Sequence, residues 1–437
     1  MIRFAFAILA VFAALPARAE VAIQEIVTPG GINAWLVEER AIPFVALELR
    51  FRGGASLDAP GKRGATNLMV GLLEEGAGDL DSRAFARRTE ELAASFGYDL
   101  SDDILTISAK FLTENRDEAM ALLRDSIINP RFDQVAIDRV RGQVVSIIQS
   151  DLKDPNAIAA RNFDTLVYGD HPYGSSRNGT LESIAALTQE DIRAAHKASI
   201  AKDRLYVSAV GDISADELAT LLDMLLGDLP ETGAAMPVVA EVNLPGGTQV
   251  VPFETPQSVA VFAQPGIDRD DPDFFAAYLL NHILGGGGFE SRLMQELREK
   301  RGLTYGVYSY LLDKDGAQIW AGSVSSANDR VAQAIDVIRA EWERIRNDGV
   351  TEAELMDAKT YLTGAYPLRF DGNGPIANIA VQMQMEGLPT DYIANRNDMV
   401  NAVTIEDINR VARELLDPSK LTFMVVGQPD GLMSDVN

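Results

Sequence analysis

Hydrophobic and polar positions repeat along this chain in two matching blocks. The block LTQEDIRAAHKASIAKDRLYVSAVGD (187–212) aligns without a gap with VTIEDINRVARELLDPSKLTFMVVGQ (403–428). Each block opens with Thr-x-x-Asp, which predicts a helix start, because the hydroxyl can accept a hydrogen bond from a free backbone N–H. Each closes with a β-branched and aromatic run that ends at glycine, which predicts a buried strand. Two halves of the chain are therefore predicted to share one fold.

The segments before these blocks also correspond. Strand-like runs lead into polar turns and helices at 44–64 and at 258–273. Residues 98–112 and 302–326 follow as predicted antiparallel strands, and the second pair is expected to turn at Asp315-Gly316. A long amphipathic helix comes after each pair. The pattern predicts an α+β protein of two homologous lobes, each a mixed or antiparallel sheet covered by helices.

A proline- and glycine-rich stretch with little periodicity, GDLPETGAAMPVVAEVNLPGG, separates the halves. It predicts an interdomain linker at 229–247, between an N-terminal lobe at 20–228 and a C-terminal lobe at 248–437. Two lobes joined in this way could close as a clamshell around a partner or ligand.

The first 19 residues have the pattern of a cleaved secretory signal. Arg3 precedes an apolar run from Phe4 to Leu15, and Ala17-Arg18-Ala19 offers a cleavage site. The alternative, a membrane anchor, is disfavoured because the run is too short to span a bilayer. We expect an exported protein that resides in the periplasm and has no membrane partner.

Composition narrows the range of partners. The 437-residue chain carries a formal net charge of -25, and loss of Arg3 and Arg18 with the signal would make it -27. Such a surface repels nucleic acid and anionic lipid. Cysteine is absent, which excludes disulfides and thiolate metal sites.

Common catalytic motifs are also missing. The three histidines, His171, His196 and His282, include no pair at helical spacing, so a zinc site within this chain is not expected. Surface or hydrogen-bonded structural roles are the simpler interpretation for all three. No Gly-x-Ser-x-Gly elbow occurs, and the four glycines at 285–288 lack the lysine and hydroxyl residue of a phosphate-binding loop.

One short basic and aromatic segment remains as a candidate site. Residues 291–301 have the pattern of an amphipathic helix that ends at Gly302, and a strand follows. Arg298 lies in the last predicted turn and Tyr305 at the start of the strand, so the chain could fold back and bring both to one surface. The alternative is that Arg298 only complements the helix C-terminus and Tyr305 only packs.

The blocks FESRLMQELREKRGLTYGVYSY (289–310) and IWAGSVSSANDRVAQAI (319–335) resemble the pitrilysin family of inverted-motif zinc peptidases, over nearly the whole mature chain. Active members of that family carry H-x-x-E-H and a distant glutamate as zinc ligands and general base. The matching positions here are Asn67, Val70, Gly71 and Ile148, none of which can do that work. Nearby Glu74 and Glu75 are interpreted as solvated charges.

The resemblance implies that Arg298 and Tyr305 match the family's substrate-binding and oxyanion-stabilising pair. Some members divide the work between two chains, which predicts no cofactor here and zinc in a homologous H-x-x-E-H subunit. On this interpretation the chain is the non-zinc-binding subunit of a heterodimeric periplasmic metallopeptidase and is inactive alone. The alternative is a non-enzymatic scaffold or peptide-binding homologue.

A peptide substrate is expected to add as a strand on an exposed edge, with Gly287 and Gly288 allowing close backbone approach. A simple helix cap and loop would explain the glycines equally well. The predicted edge comprises Gln318, Ile319, Trp320, Ala321, Gly322, Ser323 and Val324.

Overall fold

The computed structural model describes residues 21–435, so the expected signal at 1–19 lies outside the described residues. The N-terminal lobe has a six-stranded sheet in the order β1-β2-β8-β3-β7-β6 and a two-stranded ribbon, β4-β5. Its strands are β1 (Gln24–Val27), β2 (Asn33–Glu38), β3 (Phe44–Arg52), β4 (Gly76–Ala77), β5 (Leu80–Asp81), β6 (Ser95–Leu100), β7 (Ile104–Leu112) and β8 (Leu205–Gly211). Its helices are α1 (Ala65–Val70), α2 (Ser82–Glu91), α3 (Arg116–Ile128), α4 (Gln134–Asp151), α5 (Pro155–Tyr168), α6 (Leu181–Ala186), α7 (Gln189–Ser199) and α8 (Ala215–Leu226).

The C-terminal lobe has a five-stranded sheet in the order β11-β12-β10-β13-β9. The expected linker carries no helix or strand before β9 begins at Gly247. The strands are β9 (Gly247–Pro252), β10 (Gln257–Pro265), β11 (Thr304–Lys314), β12 (Ala317–Ala327) and β13 (Thr422–Gly427). The helices are α9 (Phe274–Asn281), α10 (Val331–Asp348), α11 (Glu352–Ala365), α12 (Asn373–Met385), α13 (Tyr392–Ala402) and α14 (Ile405–Leu415).

The two lobes repeat one topology, which confirms the α+β fold. β8 and β13 pair in parallel with β2 and β9, and the other pairs of the two large sheets are antiparallel. The Thr-x-x-Asp sequences form the expected capping boxes: Asp191 N donates to Thr188 Oγ1 at 3.2 Å, and Asp407 N donates to Thr404 Oγ1 at 3.1 Å. The predicted turn at Asp315-Gly316 joins β11 to β12.

The lobes exchange one helix each, a feature that the repeat did not reveal. Phe163 and Val167 of α5 pack against Met424 in the sheet of the C-terminal lobe. Ala377 of α12 packs against Val210 in the sheet of the N-terminal lobe. Each sheet is therefore covered on one face by its own helices and on the other by a helix from the opposite lobe.

The β11–β12 turn fastens the lobes together at one end. Lys314 Nζ lies 2.7 Å from Asp102 Oδ2, and the backbone N–H of Asp315 donates to Asp103 at 3.3 Å. Gly316 N donates to the hydroxyl of Tyr173 at 3.1 Å. These contacts fix the end of β11 that lies opposite Tyr305. Among residues 21–435, no helix is both long and apolar enough to cross a bilayer.

Candidate functional site

The N-terminal lobe places its degenerate motif at a short, well-anchored helix. Asp58 accepts hydrogen bonds from Gly64 N and Thr66 N at 2.8 Å each, which satisfies free backbone donors at the start of α1. The helix runs only to Val70, and the chain continues through Gly71 as irregular turns. The start of α1, which carries Asn67 and Val70, is therefore held firmly.

Buried aliphatic side chains occupy the position at which this motif would hold a metal. Val70 and Ile148 are buried in one core with Val140, and a Cβ added to Gly71 would lie 3.1 Å from a Val140 methyl carbon. Asn67 Nδ2 instead donates to the Asn178 side chain at 3.2 Å. Valine, glycine and isoleucine offer no ligand atom, so this donor set does not fit zinc. Residues 21–435 contain no group of three or more histidine, aspartate or glutamate side chains that could hold a metal.

Of the two nearby carboxylates, Glu75 has a structural role. Glu75 accepts a hydrogen bond from Ser82 Oγ at 2.7 Å and forms an ion pair with Arg139. The interpretation of Glu75 as a merely solvated charge was therefore wrong, because it ties the end of the α1 region to α2 and α4. Glu74, next to it, is exposed.

In the C-terminal lobe the first of two π-helical segments includes the first two glycines of the run at 285–288, and the second follows the run. They span His282–Gly286 and Met294–Glu299, so the predicted regular helix at 291–301 is largely a π-helix. Such segments are rare and frequently occur at functional sites. A Cβ on Gly285 would lie 2.8 Å from the backbone nitrogen of Ser309, so this glycine lets the segment pack directly on β11.

Gly287 and Gly288 each require glycine or favour it for a different structural reason. A Cβ on Gly287 would lie 2.7 Å from the carbonyl oxygen of His282, which leaves no room for a side chain. Gly288 has φ +60°, a conformation that favours glycine, and open space around it. Contact of either glycine with a peptide stays a prediction.

The structure brings Arg298 and Tyr305 together on an exposed surface. Arg298 Nη1 donates to the backbone carbonyl of Tyr305 at 2.9 Å, and its guanidinium lies 4.6 Å from the ring centre of Phe289. Tyr305 is 84% exposed, so its side chain is open to solvent. Packing alone therefore does not explain Tyr305. The pair presents N–H and O–H donors to whatever binds this face. The exposed carboxylate of Glu299 lies beside them, with its Oε1 3.7 Å from Arg298 Nε.

Ion pairs behind this surface hold the segment in place. Arg292 Nε and Nη2 lie 2.6 and 2.8 Å from the two carboxylate oxygens of Glu354, which anchors the segment to α11. Burial raises the pKa of Glu354, but hydrogen bonds from Arg292 and Thr351 outweigh it and lower the pKa to about 2. Glu296 is buried and ion-paired with Lys300 at 2.6 Å. These contacts give the segment a defined position.

The prediction that residues 318–324 form an exposed edge of the sheet is wrong. β12, which contains all of residues 318–324, pairs with β10 on one side and β11 on the other. Its backbone groups are therefore used within the sheet and cannot accept an added strand. Sequence alternation does not distinguish an inner strand from an edge strand. The outer strand on this side is β11, which begins at Thr304 and has Tyr305 as its second residue.

The three histidines have structural partners. His171 Nε2 lies 2.9 Å from the Val238 carbonyl oxygen, and His196 Nε2 lies 2.8 Å from the Ile127 carbonyl oxygen. His282 stacks on Tyr361, with ring centres 5.1 Å apart. Sequence reasoning had missed the exposed aromatic residues around the Arg–Tyr pair, Phe289, Tyr308 and Tyr310. Their alternation along the strand was a usable signal in the case of the tyrosines.

Two protein-family models match the chain in succession. The model described as Insulinase (Peptidase family M16) matches residues 35–181. The model described as Peptidase M16 inactive domain matches residues 186–362.

Curated relatives match over most of the chain. "Non-peptidase homolog YmxG" of Helicobacter pylori is 26% identical over 389 residues, which cover 89% of this chain and 90% of the relative. "Uncharacterized zinc protease YmxG" of Bacillus subtilis is 23% identical over 397 residues, which cover 90% of this chain and 95% of the relative. Names of both kinds, peptidase and non-peptidase, thus occur among similar proteins.

Solved structures agree with the two-lobed fold. The crystal structure of a peptidase M16 inactive domain from Pseudomonas fluorescens superposes with a TM-score of 0.88 at 28% identity, covering 95% of this chain and all of that one. A protease from Helicobacter pylori gives a TM-score of 0.83 at 17% identity, over 93% of this chain and 100% of that one. The second likeness supports the fold alone.

Proposed function

Because the chain belongs to the M16 peptidase family and is an inactive homologue within it, we propose that it is the non-zinc-binding subunit of a heterodimeric zinc metallopeptidase. Its partner is a homologous chain that carries H-x-x-E-H and the zinc ion. The proposed location is the periplasm, which the signal-like pattern at 1–19 supports.

One observation carries this proposal. The same chain that fills its own metal position with Val70 and Ile148 presents Arg298 and Tyr305 side by side on an exposed surface. A partly exposed arginine and an exposed tyrosine, on a segment held by the ion pairs of Glu354 and of the buried Glu296, are suited to binding the backbone of a peptide. They are also suited to donating hydrogen bonds to a carbonyl oxygen as it becomes negative.

The division of roles follows from the chemistry. Arg298 supplies a fixed positive charge, and Tyr305 supplies a neutral O–H donor on the strand that follows. The partner's zinc would supply the Lewis acid and the activated water that this chain lacks. Arg298 and Tyr305 would act on the carbonyl of the bound peptide at the face between the two chains.

A non-enzymatic scaffold or peptide-binding homologue is the second candidate. The printed name of the Helicobacter pylori relative, a non-peptidase homolog, favours it. In that role the Arg–Tyr surface would bind without catalysing, and no partner activity would depend on the tyrosine hydroxyl.

Reconstitution tests the proposal. The mature chain is purified alone and then mixed with an H-x-x-E-H homologue from the same organism, and zinc content, complex mass and peptide hydrolysis are measured. We expect no stoichiometric zinc and no hydrolysis from the chain alone, a 1:1 complex, and hydrolysis by the mixture that exceeds that of the homologue alone. Stoichiometric zinc with activity in the lone chain would refute the proposal. A 1:1 complex without increased hydrolysis would favour the scaffold.

A further inference from the structure

A phenylalanine ring lies over the arginine of the candidate site. The centre of the Phe289 ring is 4.6 Å from the guanidinium carbon of Arg298, which is within the range of a cation–π contact. Phe289 is 60% exposed, so core packing does not account for its position. A ring and a guanidinium attract each other because the negative face of the ring meets the positive charge. Phe289 is therefore one of the groups that hold Arg298 in place.

Within residues 21–435, the other contacts of Arg298 leave most of its hydrogen-bond donors unused. Nη1 donates one hydrogen bond to the carbonyl oxygen of Tyr305 at 2.9 Å. Glu299 Oε1 lies 3.7 Å from Nε, which is too long for a hydrogen bond, and both side chains are partly exposed. Ion pairs of this kind contribute little to holding a side chain. Because a guanidinium has five N–H groups, the others are available to a ligand.

An aromatic ring can hold a guanidinium without using its hydrogen bonds. A carboxylate in the same place would accept N–H groups, often two at once, and would compete with a ligand for them. The face of a ring attracts the charge but accepts no strong hydrogen bond. The contact with Phe289 therefore restricts the motion of Arg298 while its N–H groups stay free to bind a carbonyl oxygen.

The backbone on either side of Phe289 is constrained. Gly288 has φ +60°, which favours glycine, and it begins a single tight turn, Gly288–Glu290. Buried Ser291 closes this turn, because its Oγ and its backbone N–H donate to the Gly288 carbonyl oxygen at 2.7 and 3.1 Å. Gln295 Nε2 donates to the carbonyl oxygen of Glu290 at 3.2 Å. The exposed ring is thus carried on a turn of defined shape.

We infer that Phe289 is a positioning residue, which holds the Arg298 guanidinium at the candidate site with N–H groups free for the carbonyl oxygen of a bound peptide. The inference rests on the proposed function, because that function makes a peptide the ligand of Arg298. It adds a residue to the Arg–Tyr pair, and it requires that the effect of Phe289 on hydrolysis pass through Arg298.

Hydrolysis by the mixed chains tests this dependence in a double-mutant cycle. Phe289→Leu keeps an apolar side chain but removes the ring, and should lower kcat/KM about two- to fivefold, the effect expected of an exposed cation–π contact. Phe289→Tyr keeps the ring and should restore the activity. In an Arg298→Ala background, Phe289→Leu should cause no further loss. Tyr361→Leu, at a 63% exposed position on α11, is the matched control and should change neither kcat/KM nor Tm.

A spectroscopic measurement on the mature chain alone tests the contact without the zinc subunit. In NMR of the chain with isotope-labelled arginine, the Nε–Hε signal of Arg298 is assigned by its loss in Arg298→Ala. Protons over the face of an aromatic ring are shielded by its ring current. Phe289→Leu should therefore move the Arg298 signal downfield, and Phe289→Tyr should leave it near its original position. Tm should stay unchanged in both variants, because Phe289 is exposed.

Three outcomes would overturn the inference. The first is an Arg298 signal that does not move in Phe289→Leu, and the second is full activity of Phe289→Leu in mixed chains whose activity falls with Arg298→Ala. The third is an equal loss from Phe289→Leu in the Arg298→Ala background, which would show that Phe289 acts by a contact of its own. Failure of the proposed function looks different: Arg298→Ala would leave hydrolysis unchanged although the Arg298 signal moved in Phe289→Leu. The contact would then stand, and its proposed role in peptide hydrolysis would not.

Discussion

The two lobes share one topology, but the corresponding region is buried in the N-terminal lobe and exposed in the C-terminal lobe. In the N-terminal lobe the region of α1 is sealed, with Val70 and Ile148 in a continuous hydrophobic core. In the C-terminal lobe the corresponding region opens into two π-helical segments and presents Arg298 and Tyr305 to solvent. The fold tolerates loss of a polar site when hydrocarbon can fill it. The C-terminal lobe keeps an irregular backbone and exposed hydrogen-bond donors that core packing does not require, which is typical of a functional site.

The largest effect on stability is expected from a substitution at Ile148, in the buried region around α1. Ile148→Glu, which restores the residue type of the third ligand position, would place a carboxylate in hydrocarbon with no zinc site to receive it. We expect the free energy of unfolding to fall by about 3–5 kcal/mol, or the lobe to fail to fold. Urea unfolding followed by circular dichroism measures this.

Ile147→Glu is the matched control, because Ile147 is the preceding residue of α4 and is 48% exposed. That variant should change stability by less than about 0.5 kcal/mol. If Ile148→Glu changed stability as little as the control, the region around α1 would be loosely packed, with room for a charge. The contrast between a tightly packed N-terminal region and an exposed C-terminal region would then be wrong.

The sequence predicted the repeat and the helix starts, because each depends on local patterns. The spacing of Arg298 and Tyr305 left their proximity open, and it was the family resemblance that favoured the pair. The sequence did not predict the exchange of α5 and α12, since apolar helix faces do not reveal which sheet they cover. Residues 318–324 were misplaced at an edge for the same reason: strand order depends on non-local pairing. The π-helical segments also escaped, because residues 294–299 keep an ordinary amphipathic pattern.

A substitution at Tyr305 tests the proposed catalytic role of the exposed region in the C-terminal lobe. Tyr305→Phe removes one hydroxyl and keeps the ring, so in the proposed heterodimer it should lower kcat about 100-fold without weakening assembly. Steady-state hydrolysis by the mixed chains and size-exclusion chromatography measure the two effects. Tyr361→Phe, which removes a hydroxyl at a comparably exposed site on α11, is the control and should leave kcat unchanged. Equal turnover in both variants would favour the scaffold.

The contact between the lobes should depend on pH through Asp164. Its pKa is raised by burial from an ordinary 3.8 to about 7, so the folded state holds the proton more tightly than the unfolded state. Its contribution to stability is therefore fully present below about pH 4 and is lost as pH rises through about 7. Asp164→Asn should raise Tm at pH 8 by about 2–4 °C and raise it clearly less at pH 5, where only part of the contribution has been lost.

Asp170→Asn, at an exposed position just after α5, is the control for this pH effect. It should shift Tm equally and slightly at both pH values. A shift for Asp164→Asn that was the same at pH 5 and pH 8 would show that the carboxylate is not desolvated at the junction of the lobes.

The smallest effect tests whether the lobes are one cooperative unit. Thr188→Ala and Thr404→Ala remove equivalent N-cap hydroxyls from α7 and α14, each at a cost of about 1 kcal/mol. Independent lobes would unfold in two transitions, and each substitution would shift only its own. Because α5 and α12 each cover the opposite sheet, loss of either lobe exposes the core of the other. Differential scanning calorimetry should therefore show one transition that both variants lower by a similar amount, with additive effects in the double variant. Separate transitions would show that the exchanged helices do not couple the lobes.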